Sequence, residues 1–195
     1  MRRIYFAGLL GSILALTTAV LPVCAQTNNI PKQYQATPTK INDLVHTKLD
    51  VRFDYKKRYM YGKEWVTLKP HFYPTDSLRL DAKGMDIKNI SEVKAGKNIP
   101  LKYVYEDSLS LNIRLDKTYR NNETYTLYID YTSKPNELKT HGSAAINDAK
   151  GLYFINPDGT EKDKPTQIWT QGETESSSAW FPTIDKPNQK TTEEI

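Results

Sequence analysis

The sequence predicts an all-β protein, an antiparallel β-sandwich, and three observations predict it. Apolar and polar residues alternate with a two-residue period in segment after segment. The segments are short and separated by polar turns. Between Asp43 and Thr132 no stretch carries the 3.6-residue period of a long helix. Thirteen tyrosines and many β-branched residues suit the half-buried surfaces of sheets.

Order is expected to begin near Ile41. From Thr47 to Tyr55, Leu49, Val51, Phe53 and Tyr55 alternate with Lys48, Asp50, Arg52 and Asp54, which is a strand with one buried face. A second strand is predicted within Met60 to Phe72, through Trp65, Val66 and Leu68. Leu78 and Leu80 make a short third, and Met85, Ile87 and Ile90 a fourth, ended by a turn at Ala95-Gly96-Lys97-Asn98. A hairpin comes next, with Leu101, Tyr103 and Tyr105 on one side of Glu106-Asp107-Ser108 and Leu109, Leu111, Ile113 and Leu115 on the other. Tyr125, Leu127, Ile129 and Tyr131 form a further strand. Ser133 to Ala149 reads as a loop, Leu152 to Ile155 as a strand, Asn156-Pro157-Asp158-Gly159 as a turn, and Gln167 to Thr170 as strand-like.

Ahead of this domain the chemistry differs. Arg2 and Arg3 precede an apolar run from Ile4 to Val23, and Val23-Cys24-Ala25 offers small residues to a signal peptidase, so residues 1–25 read as a signal peptide cleaved after Ala25. The expected location is exported, periplasmic or extracellular. An uncleaved anchor, or a lipoprotein acylated on Cys24, is the alternative. Residues 26–40, polar with Pro31 and Pro38, read as a flexible leader, and 41–195 as the β domain. Cleavage would remove Cys24, the only cysteine, and with it any disulfide, thiol chemistry or cysteine-ligated zinc. Arg2 and Arg3 account for two of the four net positive charges, and Lys and Arg are interspersed with Asp and Glu, so no nucleic-acid partner is indicated.

Residues 169–192 mix Trp169, Gly172, Glu173, Glu175, Trp180, Phe181 and Pro182 with no helical or strand period. Such a segment must be held by specific contacts, which makes it the place to look for function. Trp180, Phe181 and Pro182 read as packing residues, Asp185 before Lys186-Pro187 as a turn former, and Trp65 and Trp169 as core or interface residues. On its residue type alone, Glu173 would be a solvated acid.

Thr170, Gln171 and Glu173, followed by Phe181-Pro182, Asp185, Pro187, Lys190 and Thr192, resemble the N-terminal domain of the zinc aminopeptidase N and leukotriene hydrolase family. Leu49 to Leu68, with Tyr61-Gly62-Lys63-Glu64 between strands, resembles the start of that domain. Ser176, Ser177 and Ser178 stand where family members often have an arginine, and Thr183 where they often have a cysteine. The resemblance implies a saddle-like β domain, incomplete at its C-terminus and ending before the catalytic domain. It also implies a substrate-binding accessory role in an exported zinc metallo-aminopeptidase, with Glu173 gripping the free amino group of a peptide and Gln171 as an auxiliary contact. The partners implied are the peptide N-terminus and the catalytic domain. No cofactor is expected in this chain; zinc is expected in the catalytic domain.

No His-Glu-x-x-His helix motif is present, and His46, His71 and His141 have no partner at ligand spacing. There is no Gly-x-Ser-x-Gly elbow and no phosphate loop, so catalytic and metal residues are both expected to be none in this chain. The competing reading is a non-enzymatic exported β-sandwich that binds a glycan or a protein through its tyrosine-rich face.

Overall fold

The computed structural model describes residues 36, 39–139 and 148–195. The predicted signal peptide with Cys24 and most of the leader lie outside these residues, as does His141. Pro38–Ile195 form one compact unit.

The described residues make eleven strands: β1 (Asn42–Asp54), β2 (Tyr59–Pro70), β3 (Thr75–Asp81), β4 (Asp86–Lys94), β5 (Lys97–Pro100), β6 (Lys102–Val104), β7 (Ser110–Tyr119), β8 (Tyr125–Ser133), β9 (Leu152–Ile155), β10 (Gln167–Thr170) and β11 (Thr192–Glu194). Six form one sheet in the order β11-β1-β2-β8-β4-β5, three a second in the order β3-β7-β6, and β9 and β10 a separate hairpin. All pairings are antiparallel except that of β11 with β1, which is parallel.

One apolar cluster joins the two larger sheets. Leu44, Leu49, Met60, Val66, Leu68, Ile90, Leu127 and Ile129 come from the six-stranded sheet, and Leu78, Leu80, Leu111, Ile113 and Leu115 from the three-stranded one. Two inner faces sharing one buried cluster are what makes the fold a sandwich. The chain changes sheets abruptly: β5 pairs with β4, and after Pro100 and Leu101 the next strand, β6, pairs with β7 of the other sheet. The predicted hairpin is present there, with Tyr103 opposite Ile113.

Several predicted boundaries move, for physical reasons. β1 starts five residues before Thr47 because a bulge shifts the register between Leu44 and His46. Asn42 and Leu44 are buried on even positions before it, Thr47 and Leu49 on odd positions after it, so no single alternation spans the strand. The uneven Met85, Ile87, Ile90 spacing has the same origin, a bulge between Ile87 and Asn89. Lys97 and Asn98 belong to β5 and not to the turn, which is made by Ala95 and Gly96 at positive φ. Phe72 lies beyond the end of β2 and is 68% exposed, and Leu109, 53% exposed, precedes β7. Trp65 is not a core residue: it lies half-buried, its ring 5.2 Å from that of Tyr128 on the neighbouring strand.

A polar cluster also bridges the layers. The Tyr119 hydroxyl of β7 donates to Glu92 of β4 and lies 3.0 Å from Asp116, while Lys94 pairs with Asp116 and stands 3.4 Å from Glu92. Burial raises the Glu92 carboxyl, and the nearby Asp116 adds to that rise despite the Tyr119 hydrogen bond. Burial pushes Asp116 the same way, but the hydrogen bonds from Lys94, Glu92 and Tyr119 outweigh it and bring Asp116 to about 2. Two interacting carboxyls titrate as a pair, and here Glu92 is pushed up while Asp116 is pulled down.

Candidate substrate-binding loop

The segment after β10 is built as a strap across the end of the sandwich. It starts as an extension of the β9–β10 ladder: Gln171 donates its backbone N–H to the Gly151 carbonyl at 2.9 Å, one step beyond the Thr170–Leu152 pair. Gln171 is half-buried, and its side-chain Oε1 accepts the backbone N–H of Glu173 at 3.1 Å. Glu173 itself is exposed, and among the described residues no hydrogen bond or ion pair ends on its carboxylate. The two predicted site residues are therefore brought together, with Gln171 orienting the backbone that carries Glu173. The Glu173–Thr174 peptide is cis.

Contacts from residues 176–185 fix the loop. Ser176 donates its N–H to the Gly172 carbonyl at 2.9 Å and its hydroxyl to the Glu173 carbonyl at 3.1 Å. The Lys83 N–H donates to the Ser178 carbonyl at 2.7 Å, and the Ser133 hydroxyl to the Ala179 carbonyl at 2.9 Å. Thr183 exchanges two backbone hydrogen bonds with Asp81, of 2.7 and 3.0 Å. Phe181 and Pro182 are buried and Trp180 is half-buried, the packing role expected of them. Asp185 does more than form a turn: its carboxylate accepts the Ser178 N–H at 2.8 Å, and its own N–H donates to the Asp81 carboxylate at 3.0 Å. Glu175 is neutralised by Lys186 at 2.7 Å, which leaves Glu173 as the loop carboxylate without a cationic neighbour at ion-pair distance among the described residues.

Gly151 allows this closure. It sits at φ +71°, and a Cβ there would lie 2.0 Å from the Ser176 carbonyl oxygen, so the loop crosses the hairpin at backbone contact. Sequence reasoning missed Gly151, Asp81, Lys83 and Ser133 as supports of the site. They lie far from Glu173 along the chain, and only folding brings them to it.

A cleft of about 650 Å³ borders the far end of the strap at Ile184 and Lys186, and another of about 640 Å³ lies against β1 and β2; neither includes Gln171 or Glu173. Of the histidines, His46 shares a 2.8 Å hydrogen bond with Thr192 and His71 one of 3.0 Å with Asp43.

Comparison with known proteins decides the family. The model of the peptidase M1 N-terminal domain matches residues 31–195. The chain belongs to that family. Solved structures agree on the fold. An M1 zinc metallopeptidase from Deinococcus radiodurans, a mutant bound to a Tyr-Ser-Ala substrate, superposes with a TM-score of 0.62 at 17% identity over 79% of this chain and 32% of that one. The same organism's M1 zinc metallopeptidase without the mutation gives 0.62 at 15% identity over 80% and 32%. Native leukotriene A4 hydrolase from Saccharomyces cerevisiae gives 0.56 at 21% identity over 79% of this chain and 23% of the hydrolase. No curated protein matches the chain. The chain thus spans about a third of the length of the Deinococcus enzymes and about a quarter of the yeast hydrolase.

Family membership implies zinc in the catalytic domain of such enzymes. Among the described residues of this M1 N-terminal domain no group of three or more His, Cys, Asp or Glu is placed to hold a metal ion. These residues do not fit a zinc site, and no chemical step is assigned to them.

Proposed function

We propose that this M1 N-terminal domain is the substrate-binding accessory part of an exported zinc metallo-aminopeptidase, in which Glu173 holds the free amino group of a peptide. The observation that carries this reading is the strapped loop, which leaves the exposed Glu173 carboxylate without a partner among the described residues while its neighbouring acid, Glu175, is already paired. A peptide amino group has a pKa of about 8 and is mostly cationic at neutral pH. A carboxylate held on a fixed backbone recognises it by a charge-assisted hydrogen bond and so sets the distance to the first peptide bond. Gln171 contributes by holding the Glu173 backbone. Export rests on the charged start and apolar run of residues 1–25.

The intact gene product, assayed with zinc on amino-acid anilides, tests the reading. Glu173→Ala is expected to lower kcat/KM by about 100-fold on every anilide, the scale of a lost charge-assisted hydrogen bond. The melting temperature should stay unchanged, since the side chain is exposed. Unaltered kinetics in Glu173→Ala, or no hydrolysis by the unmutated protein, would remove this function.

A further inference from the structure

The β9–β10 hairpin has two unlike faces. On one, Phe154 and Ile168 pack against the core, and Phe154 meets Phe53 and Tyr55 edge-on, with ring centroids 6.2 and 5.8 Å away. On the other, Tyr153 and Trp169, opposite each other in the register, stack nearly parallel, their rings 4.7 Å apart and inclined by 17°. Trp169 remains 47% exposed, although packing has covered the opposite face of the same two strands. The Tyr153 ring is further held by its hydroxyl, which donates to the Asp148 carbonyl.

The position of this pair is set by the ladder. Because Gln171 continues the pairing through Gly151, Trp169 and Gln171 stand two residues apart on one extended strand, on the same face and about 7 Å apart. An amino group held at Gln171 and Glu173 leaves the side chain of its own residue close by. An aromatic ring reaches roughly 5 Å from its amino nitrogen. The exposed aromatic stack therefore lies on the strand that leads into the loop, within reach of the first side chain of a peptide held there.

We propose that Trp169, backed by Tyr153, is a specificity surface that receives the N-terminal side chain of the peptide and favours aromatic or large apolar residues there. This rests on the amino-group role of Glu173. Stacking on a rigid indole supplies both apolar contact and ring geometry, and a methyl group gains little from it.

The test compares phenylalanine, leucine and alanine anilides on the intact gene product. Trp169→Ala is expected to lower kcat/KM by about tenfold or more for the phenylalanine substrate, less for leucine and hardly at all for alanine, while Trp169→Phe retains most of the preference. An equal loss on all three substrates would make the pair a structural support only and overturn the proposal, as would an unmutated protein that does not prefer phenylalanine to alanine. The parent reading fails separately: it falls if Glu173→Ala leaves all three substrates unaffected, whatever Trp169→Ala does.

Discussion

Glu64→Leu is expected to stabilise the domain by about 1–3 kcal/mol at pH 8, the scale of the penalty for a buried polar group left without a hydrogen bond. Glu64 projects from β2 into the sandwich and is fully buried. Its cross-strand neighbours, Leu49 and Ile129, are buried and apolar, and neither carboxylate oxygen has a hydrogen-bond partner among the described residues. Burial raises its pKa well above 4.5, and the charge of Glu193 adds to the rise. Linkage sets the sign. The folded state keeps the proton to higher pH than the unfolded chain does, so stability is greatest below about 4.5 and falls as pH rises towards the folded value. Glu64→Leu removes this slope, and its advantage should shrink as pH is lowered. Urea unfolding at pH 4.5 and pH 8 measures both effects. A leucine variant less stable than the parent at pH 8 would mean that the carboxylate has a partner in the intact protein. Some slope should persist in the variant, because Glu92 also has a raised pKa.

The second large effect is expected at Gly151, where alanine should cost about 2–4 kcal/mol, combining a left-handed backbone with an overpacked contact. The clash is with the backbone carbonyl of Ser176, so no side-chain rotation relieves it. The strap from Gly172 to Ala179 must shift, and with it the Glu173 backbone. The variant should melt lower and, in the intact gene product, lose kcat/KM on all anilides alike, unlike Trp169→Ala. Full retention of stability would show that the strap is not seated on the hairpin as described. Gly62 makes a useful contrast: a Cβ there would lie 2.3 Å from the Tyr131 ring, which disturbs the core between β2 and β8 but not the strap.

The alternation of Leu49 with Lys48 and Asp50, or of Leu111 and Ile113 with Asn112 and Arg114, by itself determined the strands and the all-β class. Burial on one face of a pleated strand requires a two-residue period, and that period is written locally. The Thr170, Gln171, Glu173 and Phe181-Pro182 pattern likewise pointed to the family and to the loop. Only the tertiary structure decided where β1 begins, because a bulge at Val45 changes which parity faces the core. It alone placed Glu64 in the core, since the sequence shows one acid among alternating residues and not what lies opposite it. It alone revealed Gly151, Asp81, Lys83 and Ser133 as supports of the loop, and the Tyr153–Trp169 stack beside it. Such contacts join residues far apart in the chain, and their strength depends on distances that no local pattern records.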